Sequence, residues 1–362
     1  MWKFRNAFGF GTKKVLGVDI GTSSVRVVEL LKKKGSIHLN NYAELKSESF
    51  VKKPFRVFTK NSISLSNSEL GKAIGNILEE AGMETKTANL GIPDFSSFFT
   101  SFQIPVMSKE EIPQAIQYEV RPYIPLPLLE VTLDWIIMEG EPSKTPLKIL
   151  VVAIPNDVII QYQEIAKVAG LELKSLESEV FSLARAVARS VGKEEKGKKM
   201  ALIDIGARST TCSILENGIL KFSYTLGIGG NELTEVVAKS FSIDYDEGEE
   251  LKIKNGLLTN GNEKMNTRRV LIPLIDSILE EAKEVFRNFY RQEGKEVDKV
   301  CLAGGMANMV GLKEYFAENL KKEVMIINPF LNINYPLMLK KNLEQIGPLY
   351  AIATGLALNG LE

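Results

Sequence analysis

Two related α/β lobes closing on a shared cleft, the first carrying an inserted α+β module, are what this sequence predicts. Three observations lead there. A strand, an Asp-x-Gly turn and a second strand occur twice, as Val18-Asp19-Ile20-Gly21-Thr22-Ser23-Ser24 and as Ile203-Asp204-Ile205-Gly206-Ala207-Arg208-Ser209. Asp204 stands 185 positions after Asp19, about half of the 362 residues. A late strand runs into Ala303-Gly304-Gly305 ahead of a helical stretch. The length also exceeds one ordinary core and suits lobes of roughly 100–200 residues each.

The elements follow in order. Val25 to Leu31 is apolar enough for a buried strand, and Lys34-Gly35-Ser36 is its turn. Ser68 to Gly82 reads as a helix: Ser68 caps it, Leu70, Ala73, Ile74, Ile77, Leu78 and Ala81 keep the helical period, and Gly82 ends it. Ala88 to Ile92 and Phe98 to Ile104 read as strands. Ser108 and Glu111 have capping-box spacing for a helix reaching about Arg121, where Pro122, Pro125 and Pro127 stop it. Val131 to Met138 and Lys148 to Ile154 are strands, and Asn156 to Ala169 a helix. The second lobe repeats the opening unit, with Asn217-Gly218 as the hairpin turn. Helices follow at 231–241, 245–254 and 270–291, then the strand 297–302. Gly347 to Leu358 is a closing helix whose small residues, Ala351, Ala353, Gly355 and Ala357, allow close backbone approach. These elements divide the chain into a flexible tail at 1–14, a first lobe at 15–85 and 173–198, and the module at 86–172. The second lobe takes 199–230 and 293–335, with a small subdomain at 231–292, and 336–362 returns to the first lobe.

Composition excludes several function classes. Lys plus Arg and Asp plus Glu number 45 each, so no global field attracts nucleic acid. Cys212 and Cys301 fall far apart in strand-like runs and read as reduced core thiols; with His38 as the one histidine, neither a zinc site nor a Ser-His-Asp triad is indicated. No apolar run reaches the ~18 residues of a membrane span. The start alternates aromatic and basic residues (Trp2, Lys3, Phe4, Arg5, Phe8, Phe10, Lys13, Lys14) without a signal-peptide core. It reads as a flexible tail, with a weak membrane-surface or partner contact as the alternative. The expected location is therefore the cytoplasm.

The chemistry lies in the turns. A tight turn points several backbone N–H groups one way, Gly21 allows an unusual φ and a close anion, and Thr22, Ser23 and Ser24 add hydroxyl donors. That set suits a phosphate. Asp19 would repel it unless a cation, such as Mg²⁺ held through water, lies between. One such turn is also an ordinary turn; two facing copies make a site. Asp204 then gives the cation a second carboxylate, and Gly206, Arg208 and Ser209 a second clamp. Gly304 and Gly305 would let a flat ring lie on bare backbone. No Gly-Lys-Ser/Thr follows, so this is no Walker loop.

Two Asp-x-Gly turns and a late strand–Gly-Gly–helix, in this order, resemble the actin/Hsp70/sugar-kinase ATPase superfamily, with its actin-like, ribonuclease H-like two-lobed fold. Within it, "LGVDIGTSSVRVVELL" (16–31) and "AIQYEVRPYIPLPLLEVTLD" (115–134) resemble the PilM family of type IV pilus assembly proteins, relatives of the cell-division protein FtsA. The stretch 229–234, "GGNELT", and the closing "ATGLAL" also fit, so the resemblance covers about 15–359. It implies ATP and Mg²⁺ as ligands. Asp19, Gly21, Thr22, Ser23 and Ser24 fall on the first phosphate turn, and Asp204, Gly206, Arg208 and Ser209 on the second. Gly304, Gly305, Met306 and Asn308 fall on the adenosine motif, Gly229 and Gly230 on the loop before it. Glu249 and Lys252 match a helix contacting ribose and base, although Gly248 replaces an Ala there. Ala207 and Arg208 replace small or hydroxyl residues; Arg208 could pair with phosphate instead. Glu179, in the connecting helix, is the nearby candidate to orient an attacking water.

The resemblance further implies slow hydrolysis at most, and a scaffold at the inner face of the membrane. An FtsA/PilM-type module would form a groove for the cytoplasmic N-terminal peptide of a PilN-like single-span protein. Phe98, Phe99, Phe102, Tyr118, Tyr123 and Ile124 are candidates to line it. Contact with other pilus assembly ATPases and self-association stay open. Two other readings compete: a kinase or phosphohydrolase of the superfamily, and an FtsA-like membrane-associated filament. The chain ends directly after its closing helix, which speaks against an FtsA-type amphipathic tether.

Overall fold

The computed structural model describes residues 13–47, 58–59, 62–63, 65–191, 197–258 and 265–361. Most of the tail expected at 1–14 and of the charged linker at 193–199 lies outside them. In chain order the first part holds β1 (Lys13–Ile20), β2 (Ser24–Lys33), β3 (Ser36–Lys46), the short strands β4 (Phe58–Thr59) and β5 (Ser62–Ile63), α1 (Asn67–Glu80) and β6 (Thr87–Ile92). Next come β7 (Phe98–Ile104), α2 (Ile112–Glu119), β8 (Val131–Glu139), β9 (Leu147–Pro155), α3 (Asn156–Val168), β10 (Glu172–Ser178) and α4 (Glu179–Ser190). The second part holds β11 (Lys199–Ile205), β12 (Thr210–Glu216), β13 (Ile219–Leu226), α5 (Gly230–Phe241), α6 (Tyr245–Asn255), α7 (Thr267–Glu293), β14 (Lys299–Ala303), α8 (Leu312–Leu320), β15 (Glu323–Ile326), α9 (Lys340–Ile346) and α10 (Ala351–Leu361).

The repeat read in the sequence becomes two sheets of one topology. The first orders its strands β10-β6-β1-β2-β3, the second β15-β14-β11-β12-β13. Register matches as well. Asp19 pairs with Arg26 across β1–β2 and with Gly91 of parallel β6; Asp204 pairs with Thr211 across β11–β12 and with Ala303 of parallel β14. Lys34 and Gly35 at one hairpin tip, and Asn217 and Gly218 at the other, all have positive φ, as a tight two-residue turn requires.

Each sheet buries a side under helices. Leu70, Ile74 and Leu78 of α1 and Tyr162 and Ile165 of α3 close over Leu16, Val18 and Leu90. Ile275, Ile278, Ala282 and Phe289 of α7 close over Ile203, Ile214 and Leu302. Ser66, not Ser68, caps α1: its hydroxyl accepts from Glu69 N–H and the Glu69 carboxylate accepts from Ser66 N–H, a box contributing about 1 kcal/mol. Ser108 and Glu111 make their box contact too, at 2.8 Å, but it closes a turn and α2 starts only at Ile112.

α10 returns to the first lobe and lies on β1 and α4. Its small residues make this contact: a Cβ on Gly17 would meet Ala353 O at 1.9 Å, and one on Gly355 would meet Ser182 O at 1.9 Å. Within the stretch expected as the module, β6 belongs to the first sheet and α3 to its covering layer. The separate unit is the three-stranded sheet β7-β9-β8 with α2, around a core of Ile112, Ile116, Leu147, Ile149 and Val151.

That module is threaded through the first lobe yet seated on the second. Met138 and Leu150 pack with Leu202, Leu215 and Leu220. Charges run alongside: Lys221 Nζ pairs with Glu139 at 2.5 Å, Lys295 with Glu216 at 2.9 Å, and Lys148 with Glu293. Cys212 and Cys301 are buried and free in β12 and β14, and burial pushes both thiols up to about 12.

Candidate functional site

A cavity of about 510 Å³ opens between the lobes. Its floor is the pair of Asp-x-Gly turns, and they are built alike. Gly21 N–H donates to Ser24 O at 2.9 Å, and Gly206 N–H donates to Ser209 O at 2.9 Å. Gly21 does not have positive φ, against expectation. Glycine eases the packing there, because a Cβ would sit a tight 3.0 Å from Ser24 O. Gly304 is the position that needs both. Its φ is +84°, and a Cβ would lie 2.3 Å from Asp204 Oδ1 and 2.5 Å from Ile205 O. A Cβ on Gly305 would meet nothing, so that backbone faces open space.

Asp19, Gly21, Thr22, Ser23, Ser24, Asp204, Gly206, Arg208, Ser209, Gly230, Glu249, Lys252, Gly304, Gly305, Met306, Asn308 and Glu179 all line this cavity. Gly229 packs behind the second turn instead, where its Cβ would lie 2.7 Å from Ala207 O and Ser209 N. Lys252 lines the wall with its ammonium already engaged. It donates to Gly230 O at 3.1 Å and Thr234 Oγ1 at 2.7 Å and pairs with Glu249 at 2.6 Å. Its work is to hold α6 against the Gly230 loop. Asn308 likewise donates to Gln345 O at 2.6 Å.

Sequence reasoning passed over Arg26, Glu44, Lys46, Phe95 and Tyr245, which also line the cavity. The pairing of β2 with β1 and with β3 gives the signal for the first two: Arg26 faces Asp19 and Glu44 in register and ion-pairs with Glu44 at 2.9 Å. Asp94 was missed as well. It accepts from Ser178 Oγ at 2.8 Å and Val180 N–H at 3.1 Å, which fixes the start of α4 and so Glu179. Beside it, Phe95 carries the Arg208 guanidinium at 4.3 Å, a contact between the lobes.

The electrostatics are those of crowded, dry carboxylates. Burial, against the help of Arg26, raises Asp19 to about 6. Burial raises Asp94 to about 6, and burial with Asp94 and Asp19 raises Asp204 to about 7. Glu179 is pushed well above the carboxylate range by burial and by Asp19, Asp94 and Asp204. A cation beside them would reverse this logic. Among the described residues Asp19 Oδ1, Ser24 Oγ and Arg208 Nη1 are buried without a hydrogen-bond partner. The cleft thus holds an unmet acceptor for a cation and unmet donors for an anion, which fits a magnesium–phosphate group. Among the described residues no three His, Cys, Asp or Glu side chains could enclose a metal, so water would complete its shell.

A second cavity, about 470 Å³, lies between the module and the first lobe. β8 is an edge strand of its sheet and β10 an edge of the first sheet. The two edges flank this groove, with Leu133, Trp135, Ile136, Ile159, Leu176 and Phe181 among its apolar lining. The aromatic residues expected there sit elsewhere. Phe98, Phe102 and Ile124 pack in the module core, Phe99 meets the Phe181 ring at a tilt, 6.3 Å between centroids, and Tyr118 and Tyr123 are exposed. The expectation assumed that an aromatic run marks a groove, whereas β7 spends it on its own sheet.

Comparison with known proteins agrees with this architecture. The family model described as type IV pilus assembly protein PilM matches residues 17–361. The chain belongs to the PilM family. A solved PilM–PilN type IV pilus biogenesis complex contains a chain similar to this one, with a TM-score of 0.84, 23% identity, and coverage of 96% of this chain and 98% of that one. MreB5 of Spiroplasma citri bound to ADP is similar at a TM-score of 0.56 and 14% identity, covering 95% of this chain and 94% of that one. The cell division protein FtsA of Enterococcus faecalis is 24% identical over 352 residues, 86% of this chain and 78% of that protein. The fold of this PilM-family chain is therefore the actin-like two-lobed fold. Among the described residues no helix is long and apolar enough to cross a membrane.

Proposed function

We propose that this chain is an ATP-binding scaffold of a type IV pilus assembly platform. In this reading it binds MgATP between its lobes and holds the cytoplasmic N-terminal peptide of a PilN-like membrane protein in the β8–β10 groove. The observation that carries it is the meeting of two equivalent turns, Asp19–Ser24 and Asp204–Ser209, with Gly304 and Gly305 on one cavity.

Magnesium, when bound, would neutralise charge between phosphate and the carboxylates of Asp19 and Asp204. The residues of the chain do the rest. The backbone N–H groups of both turns and the Ser24 hydroxyl would cradle phosphate oxygens. Gly305 leaves backbone bare for a ring. Glu179 reaches the cleft, where burial and the carboxylates of Asp19, Asp94 and Asp204 raise its pKa. For the groove, two unpaired strand edges suit an extended peptide added as a strand, and the apolar lining suits alternate side chains. The similarity to a chain solved with PilN supports that partner, and through it a peripheral place at the cytoplasmic face of the inner membrane.

Calorimetry tests both halves. MgATP is expected to bind, with Asp19→Ala or Asp204→Ala abolishing this magnesium-dependent binding. A synthetic PilN-type N-terminal peptide is expected to bind without its membrane span. Unchanged nucleotide affinity in both variants would sink the cleft assignment, and no peptide binding at high micromolar concentration would sink the partner.

A further inference from the structure

The two turns of the cleft differ in their middle. Aligned from Asp19 and Asp204, the second has Ala207 for Thr22 and Arg208 for Ser23. The backbone under Arg208 is fixed. Gly206 O accepts from Gly230 N–H at 2.9 Å and Ala207 O from Asn231 N–H at 2.8 Å, which ties the turn to the start of α5. From that base the side chain crosses to the first lobe, where its guanidinium carbon lies 4.3 Å from the centre of the Phe95 ring. Phe95 is held as firmly. Ser96 N–H donates to Pro93 O at 2.9 Å and Ser97 N–H to Asp94 O at 3.0 Å on either side of it. Asp94 in turn is bonded to Ser178 and Val180.

Four cationic side chains line the cavity: Arg26, Lys46, Arg208 and Lys252. Arg26 is paired with Glu44 at 2.9 Å, Lys252 with Glu249 at 2.6 Å, and Lys46 is exposed. Among the described residues Arg208 pairs with no carboxylate, and its Nη1 is buried without a hydrogen-bond partner. The charge of Glu232 acts on it, but that carboxylate accepts from Gly229 N–H at 3.0 Å and caps α5. An arginine keeps its proton in such surroundings. Contact with a ring face leaves its five N–H donors without acceptors, and phosphate oxygens meet that fork far better than a ring does.

Granted MgATP in this cleft, on which the assignment rests, we propose that Arg208 makes the site select ATP over ADP. With the base on Gly305 and the phosphates along the two turns, its guanidinium leaves Phe95 and forks onto the oxygens of the terminal phosphate. ADP has no such phosphate, so with ADP the stack on Phe95 stays. The backbone donors of the turns serve either nucleotide. Selection comes from the one cation that spans the cleft, and the first turn, with Ser23 at that position, has no counterpart to it.

Calorimetry of the full chain with MgATP and with MgADP tests this. The parent is expected to bind MgATP on the order of tenfold tighter than MgADP or more, the worth of a charge-assisted hydrogen bond. Arg208→Ala should weaken MgATP by about that factor and leave MgADP unchanged, so that the preference disappears. Arg208→Lys keeps the charge without the planar fork and should fall between them. Phe95→Leu removes the competing ring, so MgATP should tighten by roughly two- to fivefold with MgADP unchanged. A parent that binds both nucleotides equally overturns the role of Arg208 alone. So does an Arg208→Ala variant that keeps the parent's preference or weakens both nucleotides alike, or a Phe95→Leu variant with weaker MgATP binding. A parent that binds neither nucleotide overturns the cleft assignment as well.

Discussion

Asp204→Asn should stabilise the nucleotide-free protein while destroying its function. Asp204 titrates at about 7 in the folded chain, against an ordinary value of 3.8, because it is buried beside Asp94 and Asp19. Between those values the folded state holds a proton that the unfolded state has released. Stability is thus complete below pH 4 and falls as pH rises through 7. A rise of that size corresponds to ~4 kcal/mol at pH 8. The carboxyl reaches the cavity and keeps some water, so this is an upper figure. Unfolding entropy scales at about 2.1 cal/mol/K per residue, so the change amounts to about 5 °C in melting temperature. Calorimetric scans in EDTA from pH 5 to 8 would check it. The parent should lose stability across that range, and Asp204→Asn should be flatter and more stable at pH 8. Magnesium with ATP should reverse the order, since only the parent gains a ligand. A variant no more stable than the parent at pH 8, with the same slope, would refute the picture of mutually repelling carboxylates.

Three further outcomes follow from the same geometry. Gly304→Ala forces a Cβ into Asp204 Oδ1 at positive φ, so it should lower the unfolding free energy from denaturant titration by at least ~1 kcal/mol and weaken nucleotide binding at least tenfold by calorimetry. Ile136→Asp, at an exposed groove position, should abolish peptide binding measured by fluorescence anisotropy and leave MgATP affinity unchanged. Lys148→Ala removes one link between the module and α7. Peptide affinity measured with and without MgATP should then differ by a smaller factor than in the parent, with each ligand still bound.

The last of these rests on how the module is seated. The groove has one wall, β10, in the first lobe and the other, β8, in the module. The module core touches the second lobe through Met138 and Leu150 and is pinned there by Lys221–Glu139 and Lys148–Glu293. If the module follows the second lobe, a rotation that brings Asp204 toward Asp19 would move β8 relative to β10. Nucleotide and peptide then report on one motion. If ATP tightens the peptide by some factor, the peptide tightens ATP by the same factor.

What the sequence revealed and hid follows from the range of the interactions. The two Asp-x-Gly turns were legible because each is a local string whose geometry, a Gly N–H to Ser O bond, closes within four residues. Gly304 was legible because a strand must end before a tight turn. Ser66 was within reach too: Ser66-x-x-Glu69 is the capping box, and Ser68 merely stood nearer the apolar period. Lys252 looked like a free ligand because its sequence neighbours say nothing of Thr234 and Gly230, which hold it from another helix. The groove was hidden for a related reason. It exists where an edge near Trp135 meets an edge near Leu176, and no local pattern records which strand lies at a sheet's edge. Phe98 and Phe102 share one face of β7 and Phe99 takes the other, and only the order β7-β9-β8 decides what each face meets. Side chains alone could not assign the peptide wall. The edge positions of β8 and β10 among the described residues support the proposed wall, because an extended chain requires an unpaired edge beside apolar pockets.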